Sequence, residues 1–218
     1  MKKILGFAFL LIGTVCFAQQ QTQNIIIITT DGFRWQEVFK GMDTAIANRS
    51  EWNEGDSSYI FEKYWHPDPQ ERRKKLMPFL WSTIAKKGQV FGNRDLDCRM
   101  DNANPYWFSY PGYNEIFTGF PDTAINSNSF PPNPHVTVLE FLNRQKGLQN
   151  RVAAFGAWEA FDRILNEERS GIPVISGMNP TGGKTPTVIE KKLNKMLADA
   201  YKPWHEDECF DLFTHHAA

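Results

Sequence analysis

The chain has 218 residues, of which 41% are hydrophobic, 22% charged and 14% aromatic, a globular composition that excludes disordered and collagen-like classes. Its 24 basic residues are matched by 25 acidic ones, so no basic surplus points to a nucleic-acid partner. The length suits one domain and does not suit two.

In residues 1–18, Lys2 and Lys3 precede an apolar run that closes on small Ala18, the layout of a signal peptide. The run falls short of the roughly 20 residues that a bilayer span needs. Bulky Val15 before Cys16 disfavours lipoprotein processing. The expectation is cleavage after Ala18, a periplasmic or secreted location, and no stable membrane anchor in the domain spanning 19–218. Losing Lys2 and Lys3 leaves that domain mildly acidic. It keeps Cys98 and Cys209, which an oxidising compartment allows to pair or to remain two separate buried thiols.

Asn24 to Thr30, NIIIITT, is apolar on both faces and reads as a buried parallel strand. It ends at Asp31-Gly32, and FRWQEVFKGM then has the spacing of a short helix. Asp43 to Arg73 is polar and interrupted, with punctuation at His66-Pro67-Asp68-Pro69, and reads as an irregular surface excursion. Leu76 to Lys87 reads as a helix stopped by Gly88, with a strand beginning at Gln89-Val90-Phe91. Thr137 to Lys146 carries a helical stripe ended by Gly147, before a strand around Arg151 to Phe155. A helix from Trp158 to Glu168, a strand from Ile172 to Ile175 and a helix from Pro186 to Ala200 follow. This alternation predicts an α/β fold with a mostly parallel sheet flanked by helices. The final DECFDLFTHHAA reads as a helix beginning, and the chain is expected to be incomplete at its C-terminus.

Two positions stand out for chemistry. Asp31 follows a buried strand, and open α/β sheets gather ligands outside the carboxyl ends of their strands; capping of the next helix is the competing role. Ser109 lies two residues before Pro111, which suits the first turn of a helix. A helix N-terminus favours anions and a developing alkoxide, so Ser109 is a candidate nucleophile; an ordinary N-cap serine is the alternative. Beside it, Tyr106, Trp107, Phe108, Tyr110 and Tyr113 suit either stacking on a ligand or core packing. Gly177 to Thr185 imitates a phosphate-binding P-loop but fails its spacing, since the first glycine is required where Met178 stands.

Taken together, Asp31-Gly32-Phe33-Arg34 after the isoleucine run, and Ser109-Tyr110-Pro111-Gly112 through Thr118-Gly119, resemble two motifs of the alkaline phosphatase superfamily, in particular its nucleotide pyrophosphatase/phosphodiesterase branch. The resemblance covers roughly Asn24 to Asn128. It implies an alkaline-phosphatase-like fold and an exported metal-dependent phosphoric ester hydrolase. In that reading two zinc ions serve catalysis, Asp31 and Ser109 ligate one of them, Ser109 attacks phosphorus, and a phosphoserine is then hydrolysed. It also implies an asparagine on a phosphate oxygen; Asn128 is the nearest match, across a gap, with Asn126 as its rival. The partner implied is a small phosphate ester.

The chain departs from the family pattern in three ways. Serine replaces the threonine usual in the diesterase branch. Tyr113 stands where a sulfatase frame requires arginine. The remaining zinc ligands, an Asp-x-x-x-His and an Asp-His pair, are not present; His66, His135, His205, His215 and His216 fit neither pattern. Two ligands are too few for a stable zinc, so this 218-residue form is expected to have little activity alone. The alternatives are a non-catalytic secreted binding module with the same fold, and a member of the phosphoglycerate mutase or sulfatase type.

Overall fold

The computed structural model describes residues 22–53, 55–202 and 207–218. The signal-peptide reading of 1–18 and His205 lie outside the described residues. The chain divides into two units, Met1–Arg34 and Trp35–Ala218.

In the first unit, 22–30 carries no regular secondary structure and Ile25, Ile26, Ile27 and Ile28 are all exposed. This corrects the expected buried strand. A run apolar on both faces needs a neighbouring strand on each side, and among the described residues nothing pairs with it.

The second unit begins with short helices. α1 (Trp35–Lys40) is the helix expected after the Asp31-Gly32 turn. The stretch read as an irregular excursion instead forms α2 (Thr44–Ala47), α3 (Ser50–Asn53), α4 (Ser57–Tyr64) and α5 (Pro69–Leu76). The supposed punctuation is a helix start: the Asp68 side chain accepts from the Gln70 N–H, and Pro69 takes the first turn, where a missing N–H costs nothing. The helix expected next adopts a π-type turn at Leu80–Ile84 and closes in α6 (Ala85–Lys87) at Gly88. The strand expected at Gln89-Val90-Phe91 does not form, and these residues have no regular secondary structure. Aromatic rings organise this part: Phe39 meets Trp81 edge to face, and the Arg73 guanidinium lies 3.6 Å from the centre of the Trp81 ring.

The main core forms around α7 (Ser109–Thr118). Tyr110, Tyr113 and Phe117 recur on one helix face and pack with Ile125, Ala160, Ile164, Leu165, Ile172 and Val174. Gly119, at φ 80°, ends α7 in the left-handed conformation that glycine adopts without steric cost. α8 (Val138–Asn143) starts at Thr137, whose hydroxyl accepts from the Glu140 N–H.

β1 (Ala154–Gly156) and β2 (Val174–Ser176) form a two-stranded parallel sheet, with Phe155 opposite Ile175. The single helix expected between them is two one-turn helices, α9 (Phe161–Ile164) and α10 (Glu167–Ser170). Asn166 divides them: its φ of 46° breaks the helical backbone and its side chain accepts from the Arg169 N–H. α11 (Val188–Asp199) opens with a capping box between Thr187 and Glu190. Leu197 packs with Cys209 and with Phe213 of α12 (Asp211–Ala217). The fold is thus a helix-rich α/β arrangement with a small parallel sheet.

Candidate functional site

Ser109 is the first residue of α7, and the N-cap position belongs to Phe108, which offers no side-chain cap. The N-cap role considered for Ser109 therefore falls away. Its hydroxyl makes no hydrogen bond to any described residue. Pro111 sits within the first turn, where the N–H groups lack helical partners and its own missing donor leaves nothing unsatisfied.

Another residue does the capping. Asn128, eighteen positions after Tyr110, accepts the Tyr110 N–H on its Oδ1 at 3.0 Å. A backbone N–H can be met only by the carbonyl oxygen of an amide, so this bond fixes the orientation of the Asn128 side chain. Its Nδ2 has no partner among the described residues and keeps two donors for an incoming acceptor. Ser109 and Asn128 thus meet at one helix N-terminus. Asn126 is exposed and makes no comparable contact.

Asp31 belongs to the other unit. It is exposed, four residues ahead of α1, and its Oδ1 accepts from the Gly32 N–H at 2.7 Å. This is a local turn and not a helix cap.

The approach to Ser109 is fastened from below. Glu115 accepts from the N–H of Ala103 at 2.6 Å and from the N–H and Nδ2 of Asn104, each at 3.0 Å. Burial opposes ionisation of this carboxyl, yet the three donors outweigh it and hold its pKa below the ordinary value. The aromatic cluster divides in two. Tyr110 and Tyr113 are core residues, and burial pushes the Tyr110 phenol above its usual range, with the nearby Arg163 opposing that rise. Trp107 is 100% exposed and Phe108 49%, both just ahead of Ser109.

Neither a family model, nor a curated protein, nor a solved structure matches the chain. The geometry has to carry any functional reading.

Zinc is the metal that the resemblance implies. Asp31 and Ser109 offer two oxygen donors, and a zinc site takes three or four protein ligands. Among the described residues no three His, Cys, Asp or Glu side chains converge. The residues present do not by themselves fit the metal. His215 and His216 are neighbours on α12 with ring centres 5.4 Å apart and no third ligand beside them among the described residues. Cys98 and Cys209 are both free thiols; Cys209 is buried, which raises its pKa.

The structure also joins a pair that no motif marks. Asp122 and His135 meet through Oδ2 and Nε2 at 2.6 Å, and the Phe120 ring packs edge-on against the imidazole. This bond to His135 lowers the Asp122 pKa, helped by the Ala124 N–H. Both residues lie in the loop that joins α7 to α8. Only the coincidence of an aspartate and a histidine in one Pro-rich loop could have suggested it. The false P-loop is a loop between β2 and α11, and Thr181 in it exchanges two hydrogen bonds with the Asn194 side chain.

Proposed function

We propose that the chain carries the nucleophile-bearing part of an exported, metal-dependent phosphoric ester hydrolase of alkaline-phosphatase-like fold, in which Ser109 attacks a small phosphate ester. The supporting observation is the start of α7. Its serine is free of capping duty, its second N–H is held by Asn128, and Asn128 keeps two donors for a phosphate oxygen. A helix N-terminus stabilises an anionic phosphate and the alkoxide that attacks it. In-line attack by Ser109 Oγ forms the Ser–O–P bond and breaks the bond to the leaving alcohol; water then releases phosphate and restores the hydroxyl.

The test is hydrolysis of an aryl phosphate, with and without added zinc, by the product of the complete coding region. Ser109→Ala is expected to lower kcat at least about a thousandfold, as loss of a covalent nucleophile does. Full activity in Ser109→Ala would remove the nucleophile assignment.

A second reading, a secreted binding module with the same fold, is favoured by Trp107. An indole with no protein contact beside a helix N-terminus is an available stacking surface. In that case zinc produces no hydrolysis, and Trp107→Ala abolishes ligand binding while Ser109→Ala leaves it intact.

A further inference from the structure

Asn128 lies in an irregular stretch, with neither helix nor strand between the end of α7 and α8. No ladder of backbone bonds sets its position, so other groups must. The Arg163 guanidinium, from α9, donates through Nη1 to the carbonyl oxygens of Phe130 at 2.7 Å and Asn128 at 3.4 Å. Glu159, one helical turn earlier, accepts from Nη2 at 3.3 Å and steadies the guanidinium from the other side. The Tyr110 hydroxyl shares its one proton between the carbonyls of Pro131 at 2.9 Å and of Arg163 itself at 3.0 Å. Three carbonyls of this short stretch are therefore held by one arginine and one tyrosine, and the same tyrosine gives its N–H to Asn128.

We infer that Arg163 is a positioning residue: by holding the backbone of Asn128 and Phe130 it sets the Asn128 amide against the first turn of α7, with Nδ2 turned to an anion beside Ser109. The inference rests on the reading of Ser109 as the phosphate-bearing residue. Arg163 itself reaches no reacting atom. A planar fork of donors suits two carbonyls at once, which the single ammonium of lysine does not.

The experiment uses the full chain labelled with nitrogen-15 and reads hydrogen exchange at the Tyr110 N–H. In Arg163→Met, which keeps the apolar stem, exchange there is expected to rise at least about fivefold, the scale of one lost hydrogen bond. The Asn133 N–H donates to the Arg163 backbone carbonyl at 2.9 Å, which the substitution preserves, and its exchange stays unchanged. Arg163→Lys restores part of the Tyr110 protection. Asn128→Ala exposes Tyr110 equally, and Arg163→Met adds nothing in that background. Unchanged Tyr110 exchange in Arg163→Met overturns the inference, and so does an equal acceleration at Asn133, which marks a general loosening of the core.

Titration with orthophosphate supplies the second readout. The Asn128 side-chain amide signals shift in the wild type, and the shift is lost in Arg163→Met. If the wild type shows no phosphate response while the exchange coupling holds, Arg163 still positions Asn128 and it is the phosphate reading of Ser109 that fails.

Discussion

At the scale of single residues, the start of α7 is held by side chains that work through backbone groups. Glu115 is the clearest case, because its carboxylate accepts three N–H donors from Ala103 and Asn104. Its folded pKa lies below 4.5, so the carboxylate contributes stability that is fully present above 4.5 and is lost as the pH falls through the lower folded value. Glu115→Gln is accordingly expected to lower the urea midpoint at neutral pH, and the gap to the wild type should close on acidification below 4.5. Urea titrations of the two proteins across the acid range check this; a gap independent of pH would assign the loss to packing. The sequence led to Ser109 and, across a gap, to Asn128. It could not reveal that Asn128 would serve Tyr110, because the bond joins an irregular loop to a helix start. Nor does any local pattern point to Glu115 or Arg163, whose partners include backbone atoms of distant loops.

Among the elements, those with strong local signals were readable. α11 has a threonine and a glutamate in capping-box register ahead of an amphipathic run, and it forms at Val188–Asp199, inside the span expected from Pro186 to Ala200. The two strands of the sheet fall one to three residues from their expected places. Elements fixed by a backbone exception were not readable. Asn166 divides what its neighbours' apolar spacing presents as one helix, and at Asp68-Pro69 residues common in turns begin a helix. Thr187→Ala removes the acceptor for the Glu190 N–H and is expected to cost about 1 kcal/mol, the usual loss for an N-cap threonine. Thermal or urea unfolding measures it, and Thr187→Ser should recover most of the loss. Equal stability of Thr187→Ala and wild type would mean that the first turn of α11 adds nothing to the fold.

At the scale of the whole second unit, its middle part from α7 to α10 is joined by one polar network around two buried residues, Asn133 and Glu140. Glu140 of α8 is fully buried and paired with Arg144 and with Arg169 of α10. Arg169 also donates to the carbonyls of Asn133 at 2.7 Å and His135 at 2.6 Å. Asn133, itself fully buried, donates to the Asn114 side chain on α7 and to the Ile164 carbonyl on α9. One network thus fastens α7, α8, α9, α10 and the loop between α7 and α8. Arg169→Met leaves Glu140 with only Arg144 and strips two carbonyls of a donor. It is expected to cost roughly 3 kcal/mol, the low end for breaking a buried pair from one side, read as a fall in the urea midpoint. A loss within experimental error would show that Arg144 alone suffices. Hydrophobic periodicity carries no trace of such a network, whereas the apolar face of Tyr110, Tyr113 and Phe117 was written into the sequence. The isoleucine run shows the reverse: its pattern is strong, yet strand formation depends on neighbours that no local pattern supplies.

The borrowed cap on α7 bears on the order in which the chain folds. Phe108 offers the helix no local cap, and the Asn128 oxygen arrives only when a loop eighteen residues downstream has docked. Closing that loop costs chain entropy before any bond is gained. The first turn of α7 therefore depends on a contact that is not local, and a peptide cut from α7 alone is expected to fray where Ser109 stands. The surroundings of Ser109 are thus set by tertiary docking and not by the sequence next to it.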